Sequence, residues 1–275
     1  MAKLAGTPRR STGRRSALIG LAGAVLTGIG DVLILGRPSS GADFDQAAGV
    51  VPPHINPDNR WRSLWNGAVL SPRRIHVGTV SGLVGIGLLE WLSMRGISRA
   101  VHPGVHRRVA AGSATAFGLA GMITHLSCGM VISAYQRALA TEVESAGEAR
   151  PSPRSVTSLL GVSAVGSLGA LAVFSVNQTV AALRRRSDVA IVPSIVTPLP
   201  CVIATLATFG ALPAPVGGYA RPASISTGLL VYFAVAASAE HRRSQRSSAT
   251  SRPRVHGTTG QAPHGSGTCA SGKRC

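Results

Sequence analysis

Six stretches of this sequence, at 17–36, 75–94, 109–134, 156–183, 189–212 and 224–239, are each read as long and apolar enough to cross a bilayer. A hydrocarbon core of about 30 Å takes about 20 helical residues. Lipid offers no water to bond an exposed peptide group, so such a segment has one local option, the α-helix. The sequence therefore predicts an all-α, polytopic transmembrane helix bundle with six spans over residues 17–240, a basic arm at 1–16 and a basic tail at 241–275. Only two of the 28 basic residues are lysines, a bias that fits a GC-rich bacterial genome, and the bilayer is taken to be a bacterial cytoplasmic (inner) membrane.

Composition agrees: 45% of residues are hydrophobic and only 14% charged, an unusual balance for a soluble chain of 275 residues. A net charge of +18 would ordinarily point to nucleic acid. Its placement points elsewhere. With the amino terminus inside, alternate connections carry 19 Lys and Arg on the cytoplasmic side and 9 outside, while six of the ten acids (Asp43, Asp45, Asp58, Glu142, Glu144, Glu148) fall outside. That is the positive-inside pattern, with both termini cytoplasmic. The same charges favour anionic lipid at the inner leaflet, so lipid is the expected partner and nucleic acid is not. The residues carry no signature of oligomeric state.

The stretch "TGRRSALIGLAGA" at 12–24 resembles a twin-arginine signal. Because the apolar run continues to Leu35, it reads instead as an uncleaved first span. Cys128 and Cys201 lie within spans and Cys269 and Cys275 in the tail. A cytoplasmic tail stays reduced, and no structural disulfide is expected. The tail has almost no large apolar residues to offset the entropy of ordering, so disorder is expected from about Gln245.

Within the long first outer loop, 37–74, Trp61, Leu64, Trp65 and Ala68 share one helical face, which suggests a short helix lying at the outer interface. "GTVSG" at 78–82, and Gly20, Ala24, Thr27 and Gly28 in the first span, are small-residue faces that allow close helix approach. Pro193, Pro198 and Pro200 each remove a backbone donor from the fifth span, whose first half should be kinked or partly unwound.

Soluble-enzyme motifs are lacking. "GLVGIG" at 82–87 has the wrong glycine spacing for a dinucleotide loop, and the sequence has no Walker loop, nucleophile elbow, HExxH or CxxC. His256, His264, Cys269 and Cys275 are irregularly spaced in the tail, so neither metal nor cofactor is expected.

What remains are ionisable groups inside the membrane, which are costly there and are candidates for function. At about 1.5 Å of rise per residue, Asp31 lies about 24 Å above Arg15, His125 about 26 Å above Arg108 and His76 about 28 Å above Arg95. These three form the candidate intramembrane polar site, in the outer third of the bilayer. Asp31 shares a face with Ala24, Thr27 and Gly28, and His125 with Gly121, Cys128 and Gly129. Small-residue faces point into a bundle, so Asp31 and His125 are expected to pair. A second polar group, Glu90 with Asn177 and Gln178, falls nearer the inner face. Glu90, about 8 Å from Arg95 along the axis, is expected to pair with Arg95, Arg107 or Arg108. His76, Thr79, Leu83 and Glu90 also line up on one helical stripe, which leaves a polar path between the faces open.

"GIGDVL", with Gly30 and Asp31, and "GMITHLSCG", with His125, resemble the corresponding segments of an uncharacterised family of bacterial multi-pass membrane proteins over roughly residues 17–240. The resemblance implies that the two positions are related and supplies no activity. The residues thus leave three classes open: a small-solute or proton-coupled transporter, a membrane-embedded enzyme acting on lipid or a lipid-linked substrate, and a non-catalytic scaffold.

Overall fold

The computed structural model describes residues 11–43, 64–144, 154–187 and 196–250. Among them every long element is helical: α1 (Ser11–Leu35), α2 (Trp65–Ala68), α3 (Pro72–Val84), a π-helical turn (Gly85–Glu90), α4 (Trp91–Ser98), α5 (Val105–Glu144), α6 (Arg154–Leu183), α7 (Pro198–Gly210), α8 (Val216–Ala220) and α9 (Ser224–Thr250). α3, the π-turn and α4 form one continuous rod.

Four helical segments are long and apolar enough to cross a membrane: Gly13–Leu35, Pro72–Ser98, Val105–Arg137 and Ser155–Leu183. The fifth expected span contains only the 13-residue apolar helix α7 among its described residues. The residues before 196, where most of the expected kink or unwinding falls, lie outside the described residues, and Pro198 and Pro200 fall in the first turn of α7. Pro198 occupies the first turn, where an intrahelical N–H partner is absent anyway. The Leu199 amide donates to Ser175 Oγ of α6 at 3.1 Å, so a neighbouring helix caps α7. Pro193 lies outside the described residues, as does Trp61. The sixth expected span begins α9, which continues as helix to Thr250, past the Gln245 boundary expected for the tail.

The helices close a ring: α6 packs on α5, α5 on the α3–α4 rod, the rod on α1, α1 on α9, α9 on α7, and α7 back on α6. Ala24, Met94, Phe117, Leu171, Phe174, Val202, Tyr232 and Phe233 fill one apolar core between them. A second core, with Ile34, Trp65, Ile75, Val131, Ile132 and Tyr135, lies toward the end where α1 stops and α3 begins. The outward faces are apolar too: Leu18, Val25, Ile29, Val80, Leu88, Leu119, Leu126, Val162, Val165 and Val176 are exposed. Meanwhile Thr27, Asn66, Glu90, Ser93, Ser127 and Gln178 are buried. Water would oppose that distribution and hydrocarbon would favour it.

The glycine faces act as close-approach surfaces. Gly30 of α1 lies against Gly78 and Gly82 of α3, and no side chain fits between them. The loop after α1 pairs with the segment around α8 through Gly41 N to Leu212 O at 2.8 Å and Gly218 N to Ser39 O at 2.7 Å.

The short helix of the first outer loop differs from expectation. It covers Trp65–Ala68 and is buried rather than lying along the surface. The Trp65 ring stacks on Tyr135 with centroids 4.3 Å apart, and Gly67 abuts the Ile34 carbonyl and Ile132. Burying a whole indole in the second core outweighs its preference for the headgroup level.

Candidate functional site

The site starts on α1, whose Thr27 and Asp31 are one turn apart on the face turned into the ring. Asp31 Oδ2 accepts a 2.6 Å hydrogen bond from Ser226 Oγ, near the start of α9. Asp31 Oδ1 lies 3.6 Å from His125 Nε2 of α5, with 18% and 12% of the two side chains exposed. Three helices therefore converge on one carboxylate between the two apolar cores. Gly82 of α3 makes room for the imidazole, since a Cβ there would overlap the His125 ring. Cys128, one turn beyond His125, is buried beside them.

One turn below Asp31, Thr27 Oγ1 lies 3.0 Å from the Gly23 carbonyl and 3.0 Å from Glu90 Oε1. Glu90 is fully buried, and its other oxygen, Oε2, has no hydrogen-bond partner among the described residues. The expected ion pair with Arg95, Arg107 or Arg108 is therefore corrected. Arg95 instead donates to Thr115 Oγ1 at 3.1 Å, and Glu90 faces α1 at Gly23. Arg95, five residues on in regular helix, points about 140° away from Glu90 around the axis. The π-turn widens one turn by a residue and shifts the helix phase by about 100°, so Glu90 leaves the side of the rod that carries His76 and the stripe joining the two is broken.

The remaining sequence candidates separate. His76 is exposed on the outer side of α3, in an open groove with Thr79, Leu83, Leu126 and Gly129, away from the inward-facing Asp31. Asn177 accepts at Oδ1 from His106 Nδ1 over 2.9 Å and donates from Nδ2 to the His106 carbonyl at 2.8 Å. Gln178 Oε1 accepts from the Tyr232 hydroxyl at 3.0 Å. Glu90, Asn177 and Gln178 thus have three separate partners. Among the described residues no three His, Cys, Asp or Glu side chains gather into a metal-binding set. Asp31 and His125 could supply two ligands, one fewer than catalytic zinc usually takes from protein.

Sequence reasoning missed Ser226, 195 residues from its acceptor. It also missed Arg74, which closes the end of α1. Its Nε donates to the Leu33 carbonyl at 2.9 Å, and its Nη2 to those of Val32 and Gly36 at 3.0 and 2.9 Å. These carbonyls lie at the end of α1, where among the described residues only that of Val32 also accepts a backbone bond, from Gly36 N at 2.9 Å, and a guanidinium fork suits them.

The sequence model of a family of unknown function, DUF6796, matches residues 3–240. The chain belongs to that family. No curated protein and no solved structure matches it. The match runs from the basic arm through α8 and ends within α9, at residue 240.

Proposed function

We propose that the protein is a six-span protein of a bacterial inner membrane, with both termini cytoplasmic, that moves a small solute or couples its movement to protons through the Asp31–His125 site. One observation carries the reading. A carboxylate inside the apolar ring accepts from a hydroxyl of one helix, faces an imidazole of another, and lies one turn from Thr27, which contacts a second buried acid. Groups of this kind are expensive inside a membrane and mark ion and solute paths. The short helix α7, whose start is capped by Ser175 rather than by its own turn, is the kind of interrupted segment that carriers place beside such a path.

His76, on the outer groove, belongs to the rim rather than to the Asp31 site. The end of the bundle carrying Arg99, Arg107, Arg108 and Arg184–Arg186 would face the cytoplasm and hold anionic lipid.

The test uses the purified chain in vesicles loaded with a pH-sensitive dye. Small polar solutes and monovalent cations are added outside under an imposed potential. At least one solute should move protons across the membrane, and Asp31→Asn should abolish the movement. A panel in which none does so, or in which Asp31→Asn transports normally, overturns the reading in favour of a lipid-directed enzyme or a scaffold.

A further inference from the structure

Glu90 is fully buried where the rod meets α1, and its partners pose a problem of hydrogen count. Thr27 Oγ1 is 3.0 Å from two oxygens, the Gly23 carbonyl and Glu90 Oε1. A hydroxyl carries one hydrogen. If Thr27 gives it to Glu90, the contact with the carbonyl four residues back is left without a hydrogen. If Thr27 gives it to Gly23, as threonines in helices commonly do, the contact with Glu90 requires a hydrogen from the carboxyl group.

Glu90 Oε2, unpartnered and buried, decides between the two. An ionised carboxylate would leave half its charge without a donor in an apolar enclosure, at a cost far above that of an unbonded neutral carbonyl oxygen. Gly23 brings the α1 backbone against the Glu90 side chain, and among the described residues no Lys, Arg or His makes an ion pair with it.

We propose that Glu90 is a proton-binding site in its own right: a neutral carboxylic acid that donates to Thr27 Oγ1, which donates in turn to the Gly23 carbonyl. Among the described residues, the charged and titratable groups around it are few. From α1 there is Asp31, one turn beyond Thr27; from α5, His125, which sits over Gly82 of the same rod; from α4, Arg95, turned away to Thr115. The two acids therefore differ in kind. Asp31 accepts from Ser226, whereas Glu90 donates to Thr27. The inference does not depend on transport, since it concerns where a proton resides in the resting protein.

Infrared spectroscopy of the full chain in lipid nanodiscs at neutral pH tests it, through the carbonyl-stretch band of a protonated, hydrogen-bonded carboxylic acid. Wild type should show the band, Glu90→Gln should lose it, and Asp31→Asn should keep it. Thr27→Val should shift it toward the position of a free acid, which gives a second readout if Glu90→Gln folds poorly. Absence of any protonated-acid band in wild type overturns the proposal. So does a band that survives Glu90→Gln, or one that Thr27→Val leaves unmoved. Failure of the vesicle assay with this band present would count against the carrier alone.

Discussion

At the scale of single residues, Asp31 and His125 are matched by depth and by face, and each is costly to leave alone in an apolar ring. Removing one strands the other, which is worse than removing both. Asp31→Asn and His125→Gln should each lower thermal stability in detergent, with a coupling of about 0.5–3 kcal/mol between them. Simple additivity would separate the pair. Ser226→Ala should cost about 1–3 kcal/mol, as expected when a buried acceptor loses its donor. Gly82→Ala should cost about 1–3 kcal/mol by driving a methyl into the His125 ring, and should perturb the imidazole resonances in an NMR spectrum. Asp31 and His125 were legible because rise per residue fixes depth and a glycine face fixes direction. Ser226 was not, since a lone serine in an apolar span carries no mark of its partner on another helix.

At the scale of elements, spans and their helical state follow from the hydrophobic pattern, but helix phase does not. One π-turn at Gly85–Glu90 was enough to turn Glu90 off the stripe that carries His76 and toward α1. Glycines at 82, 85 and 87 were visible, yet they read equally well as packing residues. The short helix around Trp65 shows a related limit: its apolar face was readable, but the choice between the interface and the core depended on Tyr135, 70 positions away. Arg74 adds a testable element-level contact. Its guanidinium satisfies three carbonyls at the end of α1, so Arg74→Ala should destabilise the bundle by about 1–3 kcal/mol. Arg74→Lys should recover only part of this, because an ammonium lacks the planar fork. Thermal unfolding of both variants in detergent, with hydrogen exchange at the amides after Leu35, checks the prediction. Wild-type stability in Arg74→Lys would mean that charge alone matters there.

At the scale of the whole molecule, two independent asymmetries bear on how the bundle sits in a membrane. One is the bias of 19 basic residues against 9 between the two sets of connections. The other is the reversal of polarity seen in the fold, with valines and leucines outward and Glu90, Asn66 and Gln178 inward. The second fits a ring that faces lipid; only the first bears on which end would be inside. The chain carries its own reporters. Cys128 and Cys201 are buried, while Cys269 and Cys275 lie in the tail. A membrane-impermeant maleimide should therefore label inside-out vesicles through the tail and leave right-side-out vesicles unlabelled. Deleting 251–275 should abolish the labelling without altering the melting temperature, because that stretch has almost no large apolar residues with which to pack. Labelling of right-side-out vesicles would place the tail outside, which an even number of spans and a cytoplasmic amino terminus together forbid. The six-span arrangement would then fail at its weakest point, the passage through the 13-residue helix α7.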